Sequence, residues 1–287
     1  MRTERDIRRV ILVVLDGLRP DAIEKFDLVH LKRLMGNGAS TKQATTVAPS
    51  ITTAAITSLL TGVSPMRHGV TSDRVFIPAD AAALKPLPDI LADHGYPSAG
   101  FMTDVPTLLR GVANRVGRRL GFGTTRFAGK TAPEVLLSAR STLRSQKRGL
   151  IFLHWPDADR AGHSRGWMSH AYEEATHCID GTLGMLHALA QVGEDPGTLL
   201  IACADHGGGG FTSNDHNSDH PLDRIIPILI NGAGVVRQQL GAVRLLDIAP
   251  TVLWALGVNP PADLEGRVLS EAFETYADAE SAASAVA

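Results

Sequence analysis

Carboxylates and imidazoles recur in this chain directly after short apolar runs. Asp16-Gly17 follows the run 10–15, and Asp157-Ala158-Asp159-Arg160-Ala161-Gly162-His163 follows the run 150–153. Asp205-His206, with glycines at 207–210, follows the run 199–203, and His216 lies ten residues past His206. Carboxylate oxygen and imidazole nitrogen are the ligands of zinc or manganese, and no thiolate stands among them. One acidic residue at a strand end has a plainer use, capping the next helix. Three such ends, two of them carrying Asp/His pairs, point to a metal centre. A nucleophile is also at hand. A small-residue helix is predicted directly after Thr52 in Ser50-Ile51-Thr52-Thr53-Ala54-Ala55. A hydroxyl at a helix N-terminus sits in the positive end of the dipole, which favours both an anion and a developing alkoxide. The same position suits a capping threonine, so both uses stand open.

The apolar runs 10–15, 99–102, 150–153, 199–203 and 225–230 read as strands of a parallel sheet, apolar on both faces because helices cover them. Helical patterns lie between. One is short, 88–94, with Pro88 at the tolerated first position. Another, 172–190, lines up Ala175, Ile179, Leu183, Leu186 and Leu189 on one face. Alternation of this kind predicts a doubly wound α/β domain. In such open sheets ligands bind outside the carboxyl ends of the strands, where the carboxylates and imidazoles fall. No internal repeat or linker divides 1–287, which reads as a single domain, and the Ala/Ser-rich tail after about 277 reads as frayed or helical at the surface.

With 287 residues, 44% of them hydrophobic, the chain can bury a sizeable core. A net charge of -2 implies no polyanionic partner, and no nucleic acid polymer is expected. Cys178 and Cys203 are too few for a disulfide scaffold or a thiolate zinc site. Asp16 cuts the first apolar run short of a leader peptide, and no run reaches the length of a membrane span, so a cytoplasmic protein is the expectation. One segment departs from the mean. Between 104 and 148 there are ten Lys/Arg against Asp104 and Glu134, a local net of +8 that leaves -10 for the rest. It reads either as a helical insertion with a solvated face or as a basic lid that attracts an anionic substrate.

Asp16-Gly17, Thr52 ahead of Leu60-Thr61-Gly62, and Pro65-x-x-His68-Gly69 resemble the first motifs of the type I phosphodiesterase/nucleotide pyrophosphatase group. Asp159-x-x-Gly162-His163, Asp205-His206-Gly207 and His216 resemble its remaining metal motifs. Asp247-Ile248-Ala249-Pro250-Thr251 with Leu264-Glu265-Gly266-Arg267 is similar to the closing segment of sulfatases and other members of the alkaline phosphatase superfamily. The likeness runs from about 8 to 270, in the family's order. It implies a three-layer sandwich with a mostly parallel central sheet and helices on both faces. It also implies two divalent metal ions, zinc with manganese as the alternative. One would be held by Asp16, Asp205, His206 and the nucleophile Thr52, the other by Asp159, His163 and His216. His220 competes with His216, and Thr53 with Thr52; spacing to Ile226-Pro227 and to Thr61-Gly62 favours the first of each pair. Asp157 reads as a supporting residue beside the ligands.

The resemblance implies in-line displacement at phosphorus by the Thr52 oxygen between two metals roughly 4 Å apart, then hydrolysis of the phospho-threonine. The substrate would be a small phosphate or phosphonate ester. One position departs from the group. Where nucleotide pyrophosphatases carry an asparagine that donates to the phosphate, this chain has Asp73 followed by Arg74, and an ionised carboxylate donates nothing. Asp73 and Arg74 are therefore the expected substrate-binding residues, with Arg74 able to take the phosphate contact. A sulfatase is disfavoured, because those enzymes need cysteine or serine where Thr52 stands. A phosphonate or phosphomonoester hydrolase on the same scaffold is the alternative. A phosphoglycerate-type phosphomutase would use serine and a large inserted domain, and a catalytically inactive binding protein would not keep all the ligands.

Overall fold

Every residue of β1 (Arg9–Leu15) is buried, and the strand lies in the middle of an eight-stranded sheet. The structure is a computed structural model that describes residues 7–72, 78–105 and 110–274. After β1 come α1 (Pro20–Lys25), α2 (Val29–Gly36), β2 (Ala39–Thr45), α3 (Thr52–Thr61) and α4 (Pro65–His68). Next are α5 (Ala79–Ala83), α6 (Leu87–Asp93), β3 (Ser98–Met102), α7 (Arg110–Arg119), β4 (Thr124–Phe127) and α8 (Ala132–Ser145). Then follow β5 (Gly149–Trp155), α9 (Asp157–Arg165), α10 (His170–Leu189) and β6 (Thr198–Cys203). The last elements are α11 (Pro221–Arg224), β7 (Ile225–Gly232), β8 (Gln238–Gln239) and α12 (Ile248–Ala255).

The strand order is β4-β3-β5-β1-β6-β7-β2-β8. From β4 to β6 all neighbours are parallel. On one face α10 packs with α2, α8 and α9, and on the other α3, α6 and α12 pack together. This is the three-layer α/β arrangement expected from the sequence. Among the described residues no helix is long and apolar enough to cross a membrane.

Two expectations need correction. The run 225–230 is a strand, but β7 runs antiparallel to both β6 and β2. A parallel neighbour needs a crossover that returns the chain to the sheet's starting edge. Here the segment between β6 and β7 stays at the carboxyl edge and re-enters from there. The basic stretch 104–148 is also more than a helical insertion. It supplies β4, which extends the sheet beyond β3, and α8, whose Val135, Leu136, Ala139 and Leu143 are core residues. Arg115, Arg118 and Arg119 of α7 are exposed.

Candidate metal centre

Several strands deliver the polar residues to one edge. β1 ends one residue before Asp16, and Gly17 has φ +71°, in the left-handed region that favours glycine. A Cβ at Gly17 would lie 2.8 Å from Asp159 Cα, so only glycine lets β1 touch the start of α9. The Asp159 N–H donates to Asp16 O at 3.0 Å and clasps the two strand ends. On α9, Asp159 and His163 stand one turn apart on one face, with His163 Nε2 3.4 Å from Asp159 Oδ1. β6 delivers Asp205 and His206, and the loop beyond it returns with His216. Thr52 opens α3 as its first residue; the cap is Ile51, so the Thr52 hydroxyl is not spent on capping.

The side chains converge in two abutting groups. His206 Nε2 lies 3.1 Å from Thr52 Oγ1, 3.3 Å from Asp16 Oδ1 and 3.6 Å from Asp205 Oδ2. His216 Nε2 lies 3.1 Å from His163 Nε2 and 3.7 Å from Asp159 Oδ1. With metal–ligand bonds near 2.0–2.1 Å, neighbouring ligands of a four-coordinate ion sit about 3.3 Å apart, and these separations bracket that value. The groups are continuous, since the His206 and His216 rings stack at 3.7 Å and 6°. The ligand atoms of Asp159, His206 and His216 fall within 4.8 Å of one another, as do those of Asp16, His154 and Asp205.

Hydrogen bonds at the back of each residue show which atom is presented. His163, His206 and His216 place Nδ1 against the main-chain carbonyls of Asn214 (2.9 Å), Gly207 (2.8 Å) and Ser50 (2.6 Å). An Nδ1–H donated there leaves the Nε2 lone pair for a cation. Asp16 Oδ1, Asp159 Oδ1 and Asp205 Oδ2 are buried without any hydrogen-bond partner. Such orphans are rare and costly, and all three point at the presented nitrogens. The donor set and its orphaned oxygens fit divalent cations.

Electrostatics agree. Burial, and next the charge of Asp16, push Asp159 up to about 8 and Asp205 up to about 6. For Asp16 burial acts upward but is outweighed by His154 and His206, which hold it well below the usual carboxylate range. His206 is lifted to about 10: burial opposes the shift, and the charges of Asp205 and Asp16 overcome it. His216 falls to about 4 through burial and the charge of His206. Without a cation the basin holds too many carboxylates for them all to ionise.

Other expected residues lie elsewhere. The Thr53 hydroxyl donates to Ser72 O at 3.1 Å. His220 caps α11, its Nδ1 accepting from the Leu222 N–H at 3.1 Å, and its ring meets Phe211. Asp157 does not support the ligands; its Oδ2 accepts from the Ala132 N–H at 2.8 Å, at the N-terminus of α8. Asp73 and Arg74 lie outside the described residues. Sequence reasoning missed two neighbours. His154 Nε2 lies 2.9 Å from Asp16 Oδ2, and its signal was a polar residue inside the apolar β5. Trp167 stands edge-on to His163 and His216, at 5.3 and 5.8 Å, and its indole N–H donates to Gly17 O at 2.9 Å. It fills a slot made by glycines, since a Cβ at Gly162 or Gly208 would come within 2.5 or 2.1 Å of the ring.

The fold and this basin make a candidate divalent-metal site at the carboxyl edge of a mostly parallel sheet. Residues 10–87 match the type I phosphodiesterase/nucleotide pyrophosphatase family, and residues 122–260 match the metalloenzyme superfamily. A murine ectonucleotide pyrophosphatase/phosphodiesterase 5, an inactive variant in complex with AMP, superimposes with a TM-score of 0.73 at 14% identity, over 93% of this chain and 100% of that one. A phosphonate monoester hydrolase from Silicibacter pomeroyi gives 0.66 at 16%, over 91% and 76%. An alkaline phosphatase superfamily protein from Vibrio parahaemolyticus gives 0.72 at 17%, over 94% and 71%. In sequence, the 2,3-bisphosphoglycerate-independent phosphoglycerate mutase of Legionella pneumophila is 27% identical over 145 residues, 49% of this chain. The chain spans only 27% of that relative's length. It shares the fold of these solved structures, the alkaline phosphatase superfamily protein among them.

Proposed function

We propose that the chain is a phosphoric ester hydrolase of the phosphodiesterase type with Thr52 as its nucleophile. The observation that carries this reading is the Thr52 hydroxyl, on the first turn of α3, 3.1 Å from His206 Nε2 and beside the orphaned oxygens. Asp16, Asp205 and His206, with Thr52, would hold one divalent cation, and Asp159, His163 and His216 the other. Bound there, zinc or manganese supplies Lewis acidity that favours the threonine alkoxide and the leaving oxygen.

The Thr52 oxygen attacks phosphorus, the ester P–O bond opposite it breaks, and the alcohol departs. Water then displaces Thr52 from phosphorus, so ester and water yield alcohol and the free phosphate product. The α3 N-terminus turns its N–H groups toward the phosphoryl oxygens and favours their charge. Asp73 and Arg74 complete the phosphate contacts in this proposal. The phosphonate monoester hydrolase likeness keeps a second reading in view, cleavage of phosphonates or phosphomonoesters by the same residues.

Elemental analysis of the purified chain, with a panel of aryl phosphate mono- and diesters, phosphonates and nucleotides, tests the proposal. About two transition-metal ions per chain and chelator-sensitive cleavage of a diester are expected. Absence of metal with chelator-resistant activity overturns it. Preference for a phosphonate or monoester moves the assignment to the second reading.

A further inference from the structure

Each carboxylate of the first group offers one oxygen and has the other held. In Asp205, Oδ1 accepts from the N–H groups of Gly17 (3.3 Å) and His206 (3.0 Å), which leaves Oδ2 orphaned. Asp16 has no such main-chain donors. Its own N–H is taken by Trp155 O at 3.0 Å, and the neighbouring Gly17 N–H is already given to Asp205. The group that holds Asp16 is His154, whose Nε2 lies 2.9 Å from Oδ2 while Oδ1 is left orphaned, 3.3 Å from His206 Nε2.

His154 thus stands apart from the other histidines of the basin. They turn Nε2 to the centre and Nδ1 to a carbonyl. His154 turns Nε2 to the back of a carboxylate instead, from a β5 position with its side chain only 12% exposed. An Nε2 whose proton is donated to Asp16 has no lone pair left for a cation.

We infer that His154 is a positioning residue, whose N–H holds Asp16 Oδ2 so that a single oxygen, Oδ1, is offered to the cation shared with Asp205 and His206. This rests on the two-cation reading above. Without His154 the carboxylate is free to turn about Cβ–Cγ and to meet the cation with either oxygen or both. Partners of this kind typically set metal affinity by roughly 10- to 100-fold. The effect belongs to one cation only, because Asp159, His163 and His216 have no bond to His154 among the described residues.

Stepwise zinc titration against a chromophoric competing chelator, on the full chain, decides the matter. Wild type, His154→Ala and His154→Gln are compared, with circular dichroism as the check on folding. The glutamine amide N–H reaches about as far as imidazole Nε2–H and donates in the same way, so it is the conservative rescue. The expected result is two affinities in wild type, one of them weakened roughly 10- to 100-fold in His154→Ala, and most of that loss restored in His154→Gln. Should the alanine variant not fold, retention of both affinities in His154→Gln supports the inference, and loss of one overturns it. Unchanged affinities in His154→Ala overturn it. Complete loss of one cation in both variants also overturns it, in favour of His154 as a direct ligand. If wild type itself binds no zinc, the two-cation reading fails first, and that outcome is distinct from every variant effect.

Discussion

Asp159→Asn should make the metal-free protein more stable and the metal-loaded protein less so. Asp159 is half-buried beside Asp16, Asp205 and the histidines, and its desolvation with the Asp16 charge raises it from 3.8 to about 8. In the unfolded chain the group ionises freely at pH 7, so the folded state without cations is penalised. The pH lies 3.2 units above 3.8, and at about 1.36 kcal/mol per unit the penalty is at most about 4 kcal/mol. Asparagine has the same shape and no charge, which removes the penalty; relaxation around the site brings the expected gain to about 2–4 kcal/mol. For a chain of this size that corresponds to a melting temperature higher by about 5–10 °C in the presence of a chelator. In excess zinc the order inverts, because wild type gains binding energy that the variant has lost. Thermal melts of both proteins, with chelator and with zinc, measure the crossing. A chelated variant that melts below wild type would refute the charge-deficient basin, and would show Asp159 to be held by favourable contacts of its own.

Thr52→Ala should lower diester turnover by about a thousandfold or more, roughly 4 kcal/mol, while elemental analysis still finds most of the metal. Wild-type-like turnover would remove Thr52 from the nucleophile's role. If Asp73 contacts the phosphate as the resemblance implies, Asp73→Asn should maintain or increase cleavage of an aryl phosphate diester, since it would remove a repulsion of the order of a few kcal/mol at an effective dielectric near 20. A loss of about a hundredfold, roughly 2.7 kcal/mol, would give Asp73 a positive role. His68, fully buried and 2.8 Å from Ser58 Oγ, is lowered by burial from 6.5 to about 4. The unfolded chain takes up that proton below pH 6.5 and the folded chain only near 4, so stability falls as pH falls between the two. The 2.5-unit gap amounts to about 3 kcal/mol, and denaturant melts of wild type and His68→Gln should converge by up to that amount between pH 7 and 4. Parallel pH profiles would contradict this.

The strands that carry ligands were legible because each is an apolar run that stops at a carboxylate, as at Leu15 to Asp16 and Cys203 to Asp205. Direction was not legible. The run 225–230 is equally apolar read either way, and the loop that carries His216 along the carboxyl edge decides that β7 is reversed. β2, Ala-Ser-Thr-Lys-Gln-Ala-Thr, was invisible because it has no apolar run; it is recruited by pairing with β7. In 104–148 the charge count hid α8, since Arg140 and Arg144 alternate with Ala139 and Leu143, which are buried. Of the site, the residue types and their pairing could be read, because i,i+4 spacing on α9 fixes Asp159 against His163. His154 could not, because its role exists only through the parallel pairing that sets Val14 and Leu15 of β1 beside His154 and Trp155 of β5.

Trp167 gives the basin an optical consequence. Its indole is shielded from water and stands edge-on to both histidines expected at the second cation position. Emission from such a ring is quenched by a paramagnetic ion a few ångströms away and survives beside a closed-shell one. Manganese or cobalt bound at His163 and His216 would therefore darken Trp167, whereas zinc would leave it bright. Of the other two tryptophans, Trp254 packs against Phe273 in a separate ring pair, whereas Trp155 is buried at the end of β5, where its carbonyl accepts from the Asp16 N–H, so its emission would report on the first cation position. If the two cation positions are filled as proposed, difference emission of Trp167→Phe against wild type would tell which metal holds the second, without any label added to the protein.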